Sequence, residues 1–271
     1  MPELPEVETT RRGIAPHIQG QCVTKIIVRN PNLRYGVPKN LSKEFVGQTV
    51  NAVERRGKYL LFTSDAGAMM VHLGMSGSLR YLATALAPGK HDHVDIMFNN
   101  HGCLRFHDPR RFGSVLWLPQ GEPEHKLLAN IGPEPLSDDF NGNYLLKRAQ
   151  GRRTAVKNLI MDSAVVAGVG NIYANEALFM AGIHPLRAAG RISLKRCQIL
   201  VTEIKQVLQA AIASGGSTLR DFVNSDGKPG YFAFEHKVYG RDGQPCQSCG
   251  ATLKLVRLSQ RATVYCGRCQ R

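Results

Sequence analysis

The C-terminal part of the chain contains the stretch PCQSCGATLKLVRLSQRATVYCGRCQ at residues 245–270. It contains two C-x-x-C pairs, Cys246 with Cys249 and Cys266 with Cys269. Their spacing is typical of a zinc site with four cysteine ligands, and four thiolates leave the metal no open coordination position. Two short apolar runs joined at LSQR separate the pairs. The stretch therefore predicts a zinc ribbon that holds one structural zinc ion.

The other three cysteines are interpreted as packing residues. Cys22, Cys103 and Cys197 are isolated, and each lies in an apolar or periodic context. The N-terminal segment is acidic and lacks the basic-then-apolar layout of a signal peptide. No apolar run approaches the roughly 20 residues that a membrane-spanning helix needs. We therefore expect a reduced, cytoplasmic protein with no role in a membrane.

Upstream of the ribbon, the periodicity of the sequence divides the chain in two. Residues 21–118 contain short alternating or apolar runs, such as VTKIIVR and HVDIMF, which predict a sandwich or barrel-like β domain. A junction rich in proline, glycine and acidic residues follows. Helical periodicity then begins at NYLLKRAQ and ends with a long helix before a Gly-Gly stop. The chain is expected to be an α+β protein with three parts.

The charge of the chain points to an anionic partner. Among 271 residues, 35 Lys and Arg face 21 Asp and Glu, which leaves a net charge of +14. Such an excess is typical of proteins that bind a polyanion such as nucleic acid or an anionic membrane surface, and the lack of membrane features favours the polyanion. Charge by itself is also compatible with a solvated basic surface that has no partner.

The N-terminal sequence MPELPE has two interpretations. Pro5 suits the first turn of a helix, which EVETTRRGI (residues 6–14) would continue. Alternatively, removal of Met1 exposes the secondary amine of Pro2 as a chemical reagent. A terminal amine ordinarily has a pKa of about 7.7–8.0, against about 10.4 for lysine, so far more of it is unprotonated at neutral pH.

Three further stretches contain basic or turn-forming residues, and each has a functional and a purely structural interpretation. Lys58 precedes the apolar strand YLLF, where a lysine can simply be solvated or block edge pairing. HDPRRFG (107–113) could insert Phe112 into a duplex, or could be a surface loop with Phe112 in the core. GVGNIYANEAL opens a helix at Asn171, where backbone N–H groups could meet a phosphate or form only a tight turn.

Considered together, the motifs follow one order along essentially the whole chain. They are PELPEVET, KYLLF, HLGMSGSL, KHDHVD, DPRRFG, GVGNIYANE, SDGKPGYF and the four-cysteine ribbon. This order resembles the formamidopyrimidine-DNA glycosylases, bacterial enzymes that excise 8-oxoguanine and ring-opened purines from duplex DNA. The resemblance implies an N-terminal β-sandwich domain (1–130), a helix–two-turns–helix DNA-binding domain (131–235) and a zinc-ribbon finger (236–271).

The resemblance also implies an activity and the residues that perform it. The enzyme would be a bifunctional glycosylase and AP lyase that forms a Schiff base and cleaves the strand by β,δ-elimination. Pro2 corresponds to the family nucleophile, and Glu3 beside it to a proton donor. Lys58 corresponds to a lysine that assists β-elimination and contacts phosphate. Arg261 corresponds to the arginine assigned to δ-elimination and phosphate binding.

Other positions match DNA contacts of the family. The matching positions are His72, His91, Arg110, Arg152 and Asn171. Arg152 lies in a loosely patterned basic pair, so its match is the weakest of these. Met75, Arg110 and Phe112 match the trio that fills the gap left by a flipped nucleotide. The expected partner is damaged double-stranded DNA, and a monomer in the bacterial cytoplasm, associated with the nucleoid through DNA, fits that partner.

Two other functions compete with this interpretation. Endonuclease VIII, a sister glycosylase for oxidised pyrimidines, shares the proline chemistry. Its N-terminus usually reads PEGPE, and it typically lacks the RRF sequence, here Arg110 to Phe112, that would insert into a duplex. PELPE and RRF therefore favour the purine enzyme. An inactive zinc-ribbon DNA-binding protein would account for charge and ribbon alone, but not for the set Pro2, Glu3, Lys58 and Arg261.

Overall fold

A computed structural model of the chain describes residues 2–84, 86–216 and 236–271. These residues form two compact units, residues 2–129 with 214–216 and residues 130–213 with 236–271. The SDGKPGYF motif at 225–232 lies outside the described residues. In the part of the chain that the structure describes, none of the helices combines the length and the apolar character required to span a bilayer.

The first unit consists of two antiparallel four-stranded sheets with helices around them. Its elements are α1 (Leu4–Ile18), β1 (Val23–Val28), α2 (Leu41–Phe45), β2 (Ala52–Arg56), β3 (Tyr59–Ser64), β4 (Gly67–His72), β5 (Ser78–Leu82), β6 (Asp92–Phe98), β7 (Cys103–His107) and β8 (Ser114–Pro119). One sheet has the strand order β1-β6-β7-β5 and the other β2-β3-β4-β8. The predicted β-sandwich is therefore confirmed.

One apolar core joins the two sheets. Leu60 and Phe62, two residues apart on β3, point to the same face and are fully buried, as the period of a strand requires. They belong to the same cluster as Ile96 of β6 and Phe106 of β7. Helix α1 packs against β2, β3 and β5 and adds Val7 to this cluster. The N-terminus of α1 is thus held against a rigid sandwich.

The structure differs from the predicted elements at three places. Helix α1 is longer than the predicted 6–14, and Pro16 lies inside it near its C-terminal end. The run MMVHLGMSGSLRYL is two strands rather than one, because Gly74 has φ +67° and the chain turns there. Strand β2, with sequence AVERR, is too polar to predict as a strand from apolar periodicity.

The second unit contains the remaining helices and the ribbon hairpin. Its elements are α3 (Gly142–Ala149), α4 (Val156–Met161), α5 (Asn171–Met180), α6 (Leu194–Ala213), β9 (Lys254–Leu258) and β10 (Arg261–Tyr265). Helix α6 packs against α3 and α5. It ends at Ala213, and Gly215 and Gly216 follow with φ +80° and +86°, as the Gly-Gly stop predicts.

The isolated cysteines are mostly packing residues, as predicted. Cys103 and Cys197 are buried, whereas Cys22 is half-buried. Burial, with the nearby charge of Asp95, raises the pKa of Cys103 to about 11. A thiol with so high a pKa is not a nucleophile at neutral pH.

Candidate active site and nucleic-acid interface

The first turn of α1 holds Pro2 and Glu3 in a defined position. Both residues are buried, and Glu3 is only 2% exposed. Glu3 is the N-cap of the helix, and its backbone N–H donates to a carboxylate oxygen of Glu6 at 2.8 Å. Pro5 lies in the first turn, where its missing N–H leaves no helical hydrogen bond unmade. The capped helix start therefore fixes the place of Pro2.

Lys58 lies on the two-residue turn between β2 and β3. Gly57, the first residue of this turn, has φ +57°, which glycine adopts without steric cost. Arg55 donates from Nη1 to the Gly57 carbonyl at 3.0 Å and from Nε to Glu8 of α1 at 3.2 Å. One arginine thus links the helix that begins with Pro2 and Glu3 to the turn that carries Lys58.

Glu8 anchors this link by accepting from three arginines. Its carboxylate lies 2.8 Å from Arg11, 2.8 Å from Arg12 and 3.2 Å from Arg55. Burial acts to raise the pKa of Glu8, but the hydrogen bonds from Arg11 and Arg12 and the charge of Arg55 outweigh it. The pKa of Glu8 falls to about 2. The carboxylate is ionised at neutral pH, so the link between α1 and β2 is maintained there.

His72 ends β4 as a neutral imidazole. Its Nδ1 accepts the backbone N–H of Gly74 at 3.0 Å, which assigns the ring proton to Nε2. Burial lowers the pKa of His72 to about 4, and the positive charges of Lys58 and Arg34 act in the same direction. His72 therefore offers an Nε2–H donor beside Lys58 and does not add a charge.

Two neighbouring turns expose the predicted gap-filling residues. Met75 lies in the turn after β4 and is 38% exposed, and Phe112 lies in the turn before β8 and is 43% exposed. The Arg110 guanidinium lies over the Phe112 ring, 4.9 Å from its centroid. Arg111 between them has φ 58°, so the turn has an unusual backbone. The alternative that Phe112 belongs to the core is wrong.

The backbones of the two turns lie directly against each other. A Cβ atom on Gly74 would lie 2.5 Å from the backbone nitrogen of Gly113. A Cβ atom on Gly113 would lie 2.6 Å from the ring of Phe106 and 2.7 Å from the His72 carbonyl oxygen. Only glycine fits at either place, so the turns that carry Met75 and Phe112 pack as one body.

His91 directly precedes β6 and lies near the turn that carries Arg110 and Phe112. Its ring is half-buried, and its centroid lies 5.9 Å from that of His107 and 6.4 Å from that of His93. Its carbonyl accepts the backbone N–H of Asp108 at 3.0 Å. His91 is therefore adjacent to the turn that carries Arg110 and Phe112.

The four ribbon cysteines form a site that fits zinc. Their Sγ atoms all lie within 4.8 Å of one another, with 3.5 Å between Cys249 and Cys266 and 4.0 Å between Cys246 and Cys269. A tetrahedral zinc with Zn–S bonds of about 2.3 Å requires Sγ atoms about 3.8 Å apart. The predicted single structural zinc is confirmed by this arrangement. The ion would tie the two ends of the β9–β10 hairpin together.

Arg261 begins β10 at the tip of the hairpin and is exposed. It pairs with Leu258 across a two-residue turn. The turn residues Ser259 and Gln260 both have positive φ, 48° and 61°, as a type I′ hairpin turn requires. The predicted strand junction at LSQR is confirmed, and it presents Arg261 to solvent.

Polar side chains of α4 and α5 hold this hairpin. Lys157, only 1% exposed, donates from Nζ to Thr263 Oγ1 at 2.6 Å and to the Ala262 carbonyl at 3.1 Å. Asn171 donates to the same carbonyl at 3.1 Å, and Asn175 accepts the N–H of Val264 at 3.0 Å. The candidate phosphate ligand Asn171 thus lies beside Arg261. Lys157 and Asn175 were not predicted, because their partners are remote in the sequence.

Arg152 stands apart from the other candidates. It lies exposed in the loop between α3 and α4, where its carbonyl accepts the N–H of Gly190 at 2.9 Å. Within the described residues, no hydrogen bond joins its side chain to another candidate residue. Its predicted role therefore rests on the match to the family, with its exposure and charge compatible with a contact to DNA.

Three family models match the chain in succession. They are the formamidopyrimidine-DNA glycosylase N-terminal domain at residues 1–115, the formamidopyrimidine-DNA glycosylase H2TH domain at 131–223, and a zinc finger found in FPG and IleRS at 243–271. Together these models cover most of the sequence. They occur in the order that the motifs predicted.

Comparisons with individual proteins identify the same family as the family models. A formamidopyrimidine-DNA glycosylase of Methylococcus capsulatus is 58% identical over the full length of both chains. Two Lactococcus lactis Fpg structures, one a mutant with DNA containing Fapy-dG and one with DNA containing an abasic site, each have a TM-score of 0.90 and 33% identity, covering 100% of both chains. The chain belongs to the formamidopyrimidine-DNA glycosylase family.

Proposed function

We propose that Pro2, freed by removal of Met1, is the nucleophile with which this enzyme excises oxidised purines from duplex DNA. As a member of its family the chain is a bifunctional DNA glycosylase and AP lyase of base excision repair. Its substrates are 8-oxoguanine and formamidopyrimidines.

The Pro2 nitrogen attacks the sugar carbon C1′ while the bond from C1′ to the base breaks. The bound amine then loses its proton, the C1′–O4′ bond breaks as O4′ takes up a proton, and an iminium forms between the Pro2 nitrogen and C1′. This covalent intermediate divides one difficult step into easier ones. A terminal amine is unprotonated at neutral pH roughly a few hundred times more often than an ordinary lysine. Loss of a proton from C2′ and cleavage of the 3′ C–O bond complete β-elimination.

Glu3 is proposed as the proton donor in this reaction. It is adjacent to Pro2, and both residues are buried at the N-terminus of α1. A carboxyl group excluded from bulk water can transfer a proton at a defined position instead of exchanging it with solvent. The burial of Pro2 and Glu3 together on one capped helix start is the observation that carries the proposal.

The cationic and amide residues are proposed to hold the DNA backbone. Lys58 assists β-elimination and binds a phosphate, and Arg261 assists δ-elimination and binds another. His72, His91, Arg110, Arg152 and Asn171 are the further proposed DNA contacts. Two features support these roles, a net charge of +14 and the exposure of Arg261 at a turn. Phosphate contacts position a duplex without reading its sequence.

Met75, Arg110 and Phe112 are proposed to fill the space that the flipped nucleotide leaves. Extruding a nucleotide costs a few kcal/mol of stacking and pairing. An exposed aromatic ring can separate stacked bases, while Arg110 can hydrogen-bond to the base opposite the lesion. Met75 supplies a flexible apolar chain. Their exposure on two adjoining turns supports this role.

The proposed organisation is a catalytic β-sandwich domain at 1–130, a DNA-binding helical domain at 131–235 and the ribbon at 236–271. One monomer suffices for an asymmetric lesion, and a monomer in the bacterial cytoplasm is proposed. The zinc ion is structural. Held by Cys246, Cys249, Cys266 and Cys269, it would fix the ribbon and would have no position left for a catalytic water.

Borohydride trapping tests the proposal. The enzyme is mixed with duplexes that carry 8-oxoguanine, an oxidised pyrimidine or no lesion, and covalent adducts are counted on a denaturing gel. We expect an adduct with 8-oxoguanine, less with the pyrimidine and none with undamaged DNA. A protein that retains Met1 should form no adduct. Full strand cleavage by that blocked protein would refute Pro2, and a preference for the pyrimidine would indicate endonuclease VIII activity.

A further inference from the structure

Asp108, which the sequence analysis did not single out, accepts hydrogen bonds from both gap-filling turns. It follows β7 and is fully buried. Its Oδ1 accepts hydrogen bonds from the Ser76 hydroxyl at 2.9 Å and from the backbone N–H of Arg110 at 3.2 Å. Its Oδ2 accepts the Gly113 N–H at 2.8 Å. One carboxylate is thus bonded to the neighbour of Met75 and to both ends of the turn 110–113.

The backbone of Asp108 adds three more hydrogen bonds. Its N–H donates to the His91 carbonyl at 3.0 Å. Its own carbonyl accepts the Arg111 N–H at 3.3 Å and lies 2.8 Å from Nε2 of His93. Asp108 therefore stands where three segments meet, and every candidate DNA contact on those segments is exposed or half-buried around it.

The donors to the carboxylate of Asp108 are all uncharged groups, a hydroxyl and two backbone N–H groups. In the part of the chain that the structure describes, no lysine or arginine lies within ion-pair distance of its carboxylate. A buried carboxylate is costly to keep unless hydrogen bonds satisfy it. The turns must therefore stay in the arrangement that supplies the donors. The carboxylate fixes the turns, and the turns keep the carboxylate satisfied.

We infer that Asp108 is a positioning residue that joins the turns of Met75 and of Arg110–Phe112 into a single wedge. The inference rests on the proposed role of those side chains in extrusion. Arg111 in the left-handed region and two close-packed glycines show that this backbone arrangement needs restraint. With the restraint, insertion of the wedge needs no reordering of the turns, and its entropy cost is reduced.

The substitution Asp108→Asn tests this coupling with little change in volume. An asparagine has one acceptor oxygen, so its NH2 group must face either Gly113 N–H or the Ser76 and Arg110 donors. Ser76→Ala removes a single bond from the other side of the junction. Asp65→Asn is the matched control for charge, because Asp65 lies at an exposed turn where, among the described residues, its carboxylate accepts only from Asn51.

Each variant is measured by single-turnover excision from an 8-oxoguanine duplex, by cleavage of a base-less duplex, and by thermal unfolding. Fluorescence of 2-aminopurine beside the lesion reports unstacking. We expect Asp108→Asn to slow excision and unstacking by about tenfold or more, since small misplacement of positioning groups has large kinetic effects. Base-less cleavage should stay within about twofold, and Ser76→Ala should show the same pattern more weakly.

The outcomes separate this inference from the proposed function. Phe112→Ala is included, and if it leaves excision unchanged, the wedge itself is wrong. If Phe112→Ala slows excision while Asp108→Asn and Ser76→Ala do not, the coupling by Asp108 is overturned. If Asp108→Asn slowed excision and base-less cleavage equally and Ser76→Ala had no effect, the coupling would also be overturned. Asp108 would then contribute only to the stability of the fold. If Asp108→Asn does not fold, Ser76→Ala decides alone.

Discussion

Two turns in this molecule present candidate DNA contacts from a left-handed backbone, and they are held by different means. The turn 110–112 has Arg111 at φ 58°, and the turn 259–261 has Ser259 at 48° and Gln260 at 61°. Side chains in this region cost roughly 1 kcal/mol or more each. Each turn therefore depends on its surroundings to maintain its shape.

The difference follows from the size of the core behind each turn. Among the described residues, the cluster behind 110–112 contains 24 buried apolar residues, and the one behind 259–261 contains six, of which Cys246 and Cys266 are metal-ligand candidates. A large core needs only a local restraint, Asp108. A small module cannot bury enough apolar surface and requires a metal. Two turns of similar backbone conformation can thus both expose their side chains to solvent and still depend on different sources of stability.

Removal of zinc should have the largest effect and should separate the two turns. Zinc binding contributes about 10–16 kcal/mol to folding in isolated zinc-finger peptides, so a chelator should unfold the ribbon. DNA affinity should fall with it. The β-sandwich should keep its own unfolding transition, followed by calorimetry. Restoring zinc after chelation is the control, and metal-free protein that bound DNA unchanged would contradict the account.

The next largest effect concerns Glu8, which stabilises the first unit alone. Its pKa is about 2 in the fold against an ordinary 4.5. Such a depressed pKa contributes about 3 kcal/mol above pH 4.5, and this is lost as the pH falls toward 2. Glu8→Gln should therefore lower the free energy of unfolding at pH 7 and flatten its dependence on pH between about 4.5 and 2.

Chemical denaturation at several pH values measures this change. Glu122→Gln, at an exposed glutamate that follows β8 in the same unit, is the matched control and should be close to neutral. Glu8→Gln that kept the wild-type slope below pH 4.5 would remove the Glu8 network from the account.

A smaller and more selective effect is expected for Lys58→Ala. Lys58 sits on a turn tied to α1 through Arg55 and Glu8. Its loss should slow removal of the oxidised base by more than it slows cleavage at a base-less site, where Pro2 can still attack. Single-turnover rates on the two duplexes measure the difference. Lys39→Ala, at an exposed lysine, controls for charge. Equal losses on both substrates would make Lys58 a general binding residue.

The fold was predictable where its signals are local. The strands and long helices follow from the periodicity of single stretches, and the ribbon follows from four cysteines within 246–269. Strand β2 could not be predicted from apolar periodicity, because its sequence AVERR is mostly polar. The split between β4 and β5 depends on Gly74, whose left-handed φ has no unique signature in the sequence.

The sequence suggests candidate site residues, but it does not indicate the contacts that hold them. Exposed residues such as Met75 and Phe112 stand out in turn motifs. The bonds of Asp108 and Lys157 include partners on remote segments, Ser76 at a sequence separation of 32 from Asp108 and Thr263 at a separation of 106 from Lys157. Such pairs have no fixed spacing and can be found only once the chain is folded.

We expect the two turns to serve different steps, extrusion by the turn 110–112 and strand scission by Arg261. One gel experiment tests it with Phe112→Ala and Arg261→Ala at saturating enzyme. Phe112→Ala should slow excision of 8-oxoguanine by about ten- to a hundredfold, the cost of a few kcal/mol in unstacking, and spare a base-less duplex. Arg261→Ala should excise near the wild-type rate and accumulate the β-elimination product. If both variants slowed the same step by the same factor, the division of labour between the turns would be wrong.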